Sequence, residues 1–318
     1  MDLEFRLPLG QWIEEGVDVI KSSLNSVLKL VSLGLEQLYE WLVIAFTALP
    51  NWATALLIVL CCFVVRGRAN GKLVSGWKFA LGAAVGLTLI IALDQWDDAM
   101  KSLSLVLVAS LIALVMAIPL GIWAAKSPTA AAIIRPIMDF FQTMPAMVYL
   151  IPAIIFFSVG TVPGIVATVI FSMPPGVRMT TLGIHGVDKE VVEASRAFGA
   201  TPRRTLRQVE LPLAMPSIMA GVNQVIMLAL SMVVIAGMVG AEGLGREVYL
   251  ALGNGDVARG FEAGIAVVIL AMLLDRLSGS FASTRQRRRR TVVAADSTED
   301  KSATPVADEV AKAEQAQP

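Results

Sequence analysis

Charged side chains are scarce in this sequence. Asp, Glu, Lys and Arg make up 16% of its 318 residues, whereas hydrophobic residues make up 56%. Soluble domains usually carry about a quarter charged residues. The mean hydropathy of +0.69 agrees with this deficit. The composition therefore argues against a soluble globular protein and favours a chain whose solvent is lipid.

Side chains that carry chemistry are also few. There is one histidine, His185, and the two cysteines, Cys61 and Cys62, are neighbours in an apolar run, which suits neither a structural disulfide nor a metal site. Residues 67–73 resemble a phosphate-binding loop only superficially, because the spacing is wrong and no Ser or Thr follows the lysine. We find no catalytic triad and no paired catalytic carboxylates. The sequence predicts no enzyme, no metal site and no cofactor bound by this chain.

Long uncharged runs dominate instead. Ser102 to Ala125 and Pro212 to Ala241 contain no charge, and Phe140 to Val177 is an uncharged run of 38 residues, which we interpret as a hairpin turned at residues 160–164. A membrane-spanning helix needs about 20 apolar residues, and its backbone groups must bond within the segment. The sequence thus predicts an all-α polytopic membrane protein with about seven transmembrane helices. We place them near residues 45–65, 75–93, 102–125, 136–158, 162–177, 216–240 and 261–281.

Basic residues are unevenly distributed among the predicted loops. They concentrate on one side, in residues 66–78, 126–135, 178–207 and 285–290, and are sparse on the other. Because cytoplasmic loops carry the excess of Lys and Arg, we predict a cytoplasmic C-terminus and an N-terminus outside.

The two ends of the chain have distinct compositions. Residues 18–42 place leucine, isoleucine and valine at steps of three and four, which predicts one apolar helical face. That helix either lies in the outer membrane interface or packs against neighbouring spans. Residues 291–318 are rich in Ala, Asp, Glu, Thr and Pro, and we predict a disordered tail there.

The predicted cytoplasmic loop, residues 178–215, contains signals for two short helices. Asp188 can cap the first helix, and Gly199 suits a left-handed residue that ends it. Thr201 can cap the second helix, Pro202 takes its first position, and Pro212 is expected to close it. Two helices joined by a tight glycine turn outside the membrane would form a suitable binding site for a cytoplasmic partner.

The same loop carries a spaced motif. Glu193-Ala194-Ser195, three residues, Gly199, nine residues and Val209-Glu210-Leu211-Pro212 resemble the EAA loop of binding-protein-dependent ABC importer permeases. Ser stands for the second Ala of the family pattern, and Val stands for Ile. The resemblance implies that the loop docks in a groove of an ATPase subunit. The coupling residues it implies are Glu193, Ala194, Ser195, Gly199, Leu211 and Pro212.

Further segments resemble the glycine betaine/proline betaine permeases, namely residues 102–121, 142–145, 211–224 and 229–236. The likeness covers roughly residues 100–280 and implies the five-helix core of methionine-type permeases with additional amino-terminal spans. The implied domains are an extracytoplasmic segment with the amphipathic helix (1–44), added spans (45–100), the permease core (101–282, with the EAA loop at 186–213) and a basic, then disordered, cytoplasmic tail (283–318).

The resemblance also implies a function. The chain would be the permease subunit of an ABC importer in a bacterial plasma membrane, passing glycine betaine, proline betaine or a related compatible solute during osmoprotection. Its partners would be an ATPase subunit that binds ATP and Mg, an extracytoplasmic substrate-binding protein that holds the aromatic cage for the solute, and a second permease subunit, as a homodimer. Choline, carnitine or an amino acid is the alternative substrate.

Polar residues inside the uncharged spans are candidates for the translocation path: Gln142, Thr143, Asn223, Gln224 and Ser231. Hydrogen bonds between helices would explain such residues equally well. Met144 is a further candidate, because a flexible methionine could line an adaptable passage, although plain packing would also explain it. An ion-coupled transporter is a rival interpretation, but it requires ionisable residues near the membrane midplane, and the predicted core spans lack them. A membrane scaffold without a transport role is a second rival.

Overall fold

The computed structural model describes the backbone of residues 9–70 and 76–302 and the side chains of residues 16–67 and 76–280. Within these ranges the chain is helical and contains no strand. The helices are α1 (Leu9–Thr47), α2 (Asn51–Asn70), α3 (Trp77–Ala92), α4 (Trp96–Lys126), α5 (Pro128–Thr143), α6 (Leu150–Phe157), α7 (Thr161–His185), α8 (Lys189–Ala197), α9 (Pro202–Thr205), α10 (Leu211–Gly237), α11 (Leu244–Asn254) and α12 (Val257–Ser302). A 3₁₀ turn, Ala146–Tyr149, precedes α6, and a π turn, Leu206–Glu210, joins α9 to α10.

The helices long and apolar enough to cross a membrane confirm a polytopic all-α protein. Four helices meet that description in the described residues: α4, α7, the continuous helix Pro202–Gly237, and Val257–Ser280 of α12. The count rises to six if each of two sharply bent helix pairs is one span. The sequence predicted about seven, a number reached only if α3 also spans. At 16 residues and about 1.5 Å per residue, α3 is shorter than the hydrocarbon core.

The predicted span 136–158 is not one straight helix. The structure breaks it between Thr143 and Ala146, where the chain turns by 113° from Pro128–Thr143 into Ala146–Phe157. Met144, the residue before Pro145, is extended, with φ −74° and ψ 134°. A proline ring disfavours the helical conformation of the preceding residue, which explains the break. The following turn lies at residues 158–160, slightly before the predicted 160–164, and α7 begins at Thr161.

The centre of the protein is the packing of α4 and α10 against α7. Small residues bring these helices close together. A Cβ added to Gly121 of α4 would lie 2.6 Å from the Cβ of Thr180 on α7, and one added to Gly176 of α7 would lie 2.9 Å from the Cβ of Ala117. Close backbone approach through small residues is the usual packing of membrane helices.

A second close crossing joins α10 to α11 at the opposite end from α8. A Cβ on Gly245 of α11 would overlap the backbone of Val233, and one on Gly237 would overlap Gly245 itself. The turn between the two helices is held by Ser102 of α4, whose Oγ accepts a hydrogen bond from the backbone N–H of Leu244 at 2.8 Å.

The amphipathic segment 18–42 forms part of α1, and its two halves differ. Leu35, Leu38 and Leu42 pack against the main core, and Tyr39 is buried among them. Val19, Val27 and other apolar residues of the first half stay exposed. The C-terminal half therefore packs against neighbouring helices. Beyond Thr47 the chain turns by 101° into α2, at the Pro50-Asn51 break expected from the sequence.

At the other end, α12 continues to Ser302. Residues 291–302 are therefore helical, which differs from the disordered tail predicted from composition. In the structure these residues continue the helix that contains the basic run 285–290. Residues 303–318 lie outside the described part of the chain.

Candidate coupling loop and translocation surface

The first arm of the loop folds as its capping residues predict. The carboxylate of Asp188 accepts a hydrogen bond from the backbone N–H of Glu190 at 2.9 Å, and α8 begins there. The helix ends at Phe198, and Gly199 follows with φ +79°, the left-handed conformation expected of it. Both the cap and the glycine turn are confirmed.

The second arm differs from the prediction that Pro212 closes a short helix. Thr201 occupies the N-cap position without a side-chain cap bond, and Pro202 takes the first turn. The chain then passes through the π turn and enters α10 without interruption, so that Pro202–Gly237 is one helix of 36 residues. The wider π turn changes the hydrogen-bonding register just before Pro212, where the missing N–H and the ring would otherwise disturb an α-helix.

The coupling residues implied by the motif fall into two groups. Glu193, Ala194, Gly199 and Pro212 are exposed, whereas Ser195 and Leu211 are half-buried. The Ser195 hydroxyl lies 3.3 Å from the hydroxyl of Thr205, which joins α8 to α9. Leu211 packs against a small apolar cluster of the α7 and α10 ends, formed by Ile184, Val187, Ala214 and Ile218. The half-buried residues Ser195 and Leu211 thus anchor the loop, and the four exposed residues lie on its surface.

An unpaired apolar surface lies on α8 and its end. None of the residues of α8 is buried. Phe198 is 93% exposed and Val191 is 43% exposed. Large apolar side chains held on a rigid, exposed helix are typical of a protein–protein docking surface. We call the exposed residues Val191, Glu193, Ala194 and Phe198 the α8 docking surface.

Two residues outside the recognised positions help to hold this loop. Glu210 is buried, with 5% of its side chain exposed, and forms an ion pair with Lys126 in the last turn of α4. Thr205, the partner of Ser195, is also buried. In the sequence, Glu210 occupies only a variable position of the motif, and nothing in the sequence predicts its ion pair with Lys126.

The candidate path residues lie on two elements. Gln142 and Thr143 are exposed at the end of α5, and the half-buried Met144 packs against an apolar cluster that includes Met232 of α10. Gln224 and Ser231 are exposed on α10, on the same helical face as the exposed Met227. We call Gln224, Met227 and Ser231 the α10 polar stripe.

Asn223 has a different position, because it faces α12. Its side-chain amide N–H lies 3.5 Å from a carboxylate oxygen of Asp275, and its carbonyl oxygen accepts a hydrogen bond from the Ser278 hydroxyl. Asn223 therefore forms the hydrogen bonds between helices that were one of the two explanations for such polar residues. Ser231 bonds within its own helix, to the carbonyl of Met227 at 3.0 Å.

The aromatic residues near α5 and α6 form a packed cluster. Tyr149 lies edge-on to Phe141 and Phe171, with ring centroids 6.3 Å and 5.7 Å away. The Tyr149 hydroxyl donates a hydrogen bond to the backbone carbonyl of Phe141. Since Tyr149 is buried, its ring faces are occupied by protein.

His185 and the cysteines stand apart from any cluster. His185 is exposed at the end of α7, and both cysteines are free, Cys61 exposed and Cys62 buried. In the part of the chain that the structure describes, no group of three or more His, Cys, Asp or Glu side chains is arranged to hold a metal ion.

The described chain is a bundle of candidate spanning helices with an exposed helix–turn–helix at one end. The chain matches the family described as "Binding-protein-dependent transport system inner membrane component" over residues 117–290. It belongs to that family, and is therefore a multi-pass membrane permease of a binding-protein-dependent importer.

Several relatives are similar over most of their length. The chain is 49% identical over 278 residues to the glycine betaine/carnitine transport permease protein GbuB of Listeria monocytogenes, covering 86% of this chain and 95% of the relative. It is 42% identical to the glycine betaine/proline betaine permease protein ProW of Escherichia coli, covering 89% of this chain and 78% of the relative. It is also 42% identical to the glycine betaine permease protein OpuAB of Bacillus subtilis, covering 91% and 99%.

The fold has a counterpart among solved structures. The inward-facing MetNI methionine ABC transporter matches with a TM-score of 0.53 and 24% identity, over 58% of this chain and 92% of the matched chain. This likeness shows that the expected methionine-permease type of fold is present.

Proposed function

We propose that this chain is the permease through which an ABC importer passes glycine betaine, proline betaine or a related compatible solute. The observation that carries the proposal is the α8 docking surface, a capped helix with no buried residue and Phe198 fully presented. The names of the three relatives support the substrate class. Carnitine, named with glycine betaine for the Listeria relative, is the nearest alternative, followed by choline and amino acids.

The partners follow from this role. A separate ATPase subunit binds ATP and Mg and receives α8, a binding protein delivers the solute on the outer side, and a second copy of this chain completes the path. In this proposal α8 and the C-terminus lie in the cytoplasm and the N-terminus lies outside, which the uneven distribution of basic residues supports.

The path runs along the α10 polar stripe and the end of α5 in this proposal. Exposed polar side chains are supplied by Gln142, Thr143, Gln224 and Ser231, and a flexible, half-buried one by Met144. Asn223 lies one position from the stripe. None of them forms a deep cage. That suits a route that must release its cargo, because conduction requires weak sites.

Reconstitution in liposomes tests the function. The permease, its ATPase subunit and its binding protein are assembled with ATP inside, and uptake of radiolabelled glycine betaine is compared with that of choline, carnitine and proline. We expect uptake of glycine betaine that depends on both ATP and the binding protein. Uptake driven by an ion gradient without ATP, or no uptake of any of the four solutes, would contradict the proposal.

A further inference from the structure

An acidic side chain lies within the membrane-spanning part of the structure. Asp275 of α12 lies beside Asn223, which is near the middle of α10. Asn223 lies 14 residues, about 21 Å, before Gly237, where the continuous helix Pro202–Gly237 ends. Asp275 lies 18 residues, about 27 Å, after Val257, the first residue of the span Val257–Ser280. An ionisable residue inside a spanning helix is rare and usually functional.

The surrounding hydrogen bonds fix the neighbour of this carboxylate. The buried Ser278 donates to the carbonyl oxygen of Asn223, which turns the amide N–H of Asn223 towards Asp275. The same N–H group lies 3.6 Å from the sulfur of Met227, which is 48% exposed. Asp275 is therefore connected, through Asn223, to the α10 polar stripe.

The carboxylate has no cationic partner among the described residues. Among the described residues its hydrogen-bond partner is the amide of Asn223, whereas the Ser278 hydroxyl reaches the backbone carbonyl of Asp275, at 3.1 Å. Arg276 follows it in the chain and is exposed. Asp275 is itself only half-buried, so part of its side chain remains accessible. A carboxylate with one weak neutral donor retains most of its capacity to attract a cation.

We propose that Asp275 is a cation-attracting site for the quaternary ammonium group of the solute as it passes the α10 polar stripe. This inference rests on the proposed function, and it assigns to the path a charge that none of the recognised positions supplies. One carboxylate without an aromatic cage gives a weak site. Weak binding is what passage requires, because a solute held tightly would not leave.

Two ligands of the same shape separate charge from packing. Choline and its neutral analogue 3,3-dimethyl-1-butanol are titrated against the purified permease–ATPase complex without the binding protein, and binding is followed by saturation-transfer NMR. We expect weak choline binding and weaker binding of the alcohol. In Asp275→Asn the carbonyl can still accept from Asn223 but the charge is gone, and choline affinity should fall about fivefold while that of the alcohol is unchanged.

Two matched variants control for structure. Asp275→Glu keeps the charge and should keep choline binding. Ser278→Ala removes the hydrogen bond to Asn223 without changing any charge and should also retain it. Size-exclusion elution with the ATPase subunit attached establishes that each variant is folded.

The possible results divide clearly. Unchanged choline binding in Asp275→Asn, equal loss of both ligands, or no choline binding by the wild type would overturn the inference. Uptake of glycine betaine by liposomes is measured in parallel. If the wild type fails to take it up while choline binding still depends on Asp275, the proposed function fails and the site stands.

Discussion

Lys126 at the end of α4 forms an ion pair with Glu210, the residue that ends the π turn before α10. The Glu210 side chain is 5% exposed, whereas that of Lys126 is 37% exposed. A buried carboxylate is stable only with a partner. The pair therefore attaches the loop, through Glu210, to α4, which lies outside the loop. The Ser195–Thr205 contact in turn joins α8 to α9 within the loop.

Removing this pair should weaken the transmission of movement more than the attachment of the ATPase. Lys126→Met leaves the Glu210 carboxylate buried and unpaired, at a cost of about 1–3 kcal/mol. We expect a lower thermal midpoint and reduced substrate-stimulated ATP hydrolysis, with the ATPase still retained on purification. Arg259→Met, which removes the ion pair with Glu247 on α11, is the control and should leave stimulated hydrolysis intact. Normal stimulation in Lys126→Met would exclude this role for the pair.

The glycine turn after α8 should be sensitive to side-chain type. Gly199 has φ +79° and open space around it, so only the backbone conformation restricts a substitution. Gly199→Val should strain the turn by about 1–3 kcal/mol and weaken ATPase attachment about tenfold. Gly199→Asn is the control, because asparagine tolerates positive φ, and it should bind nearly as well as the wild type. Equal retention of the ATPase by the valine and asparagine variants would contradict the prediction.

The exposed ring of Phe198 should contribute to docking but not to folding. Because 93% of its surface is exposed, Phe198→Ser should leave the thermal midpoint of the isolated permease unchanged. Aromatic residues at the centre of an interface contribute about 2 kcal/mol or more, so ATPase affinity should fall by about thirtyfold or more. Glu193→Lys, on the same surface, should also weaken docking. Surface plasmon resonance with immobilised permease measures both, and unchanged affinity in both variants would remove the docking role of α8.

The crossing of α10 and α11 should not tolerate a methyl group. A Cβ at Gly245 would overlap the backbone of Val233, so Gly245→Ala should destabilise the protein by about 2 kcal/mol. Gly253 lies in the same helix with nothing within 4 Å of its added Cβ, and Gly253→Ala is therefore the matched control. Thermal unfolding in detergent compares the two. A shift of the same size in both would mean that the crossing is not tightly packed.

The orientation predicted from the basic residues can be tested with thiol reagents. In a background in which Cys61 and Cys62 are replaced by alanine, a cysteine at Arg203 should be shielded from a membrane-impermeant reagent in intact cells. A cysteine at Asn254 should be labelled, because α11 lies at the opposite end of the bundle from α8. Permeabilised cells provide the control, since both positions are exposed and should then react. Labelling of the cysteine at position 203 in intact cells would mean that the true orientation is opposite to the predicted one.

Local features of the loop could be predicted because they depend on neighbours in sequence. Asp188 bonds two residues away, and Gly199 needs no more than its own conformational freedom. The prediction for Pro212 was wrong for a related reason. The ring predicts a helix end when an α-helical register is assumed, and a π turn that changes the register leaves no trace in composition.

The sequence by itself determined that the chain lies in a membrane, that it is helical, which family it belongs to, and that α8 is a capped helix. These features follow from the length of apolar runs, the distribution of charge and the spacing of motifs, which are properties of the linear chain. Only the tertiary structure decided which polar groups meet. Asn223 and Asp275 are 52 positions apart, and Lys126 and Glu210 belong to different helices. Their contacts depend on how α4, α10 and α12 pack, and this packing is set by the close approach of small residues across helix faces, which no single segment encodes.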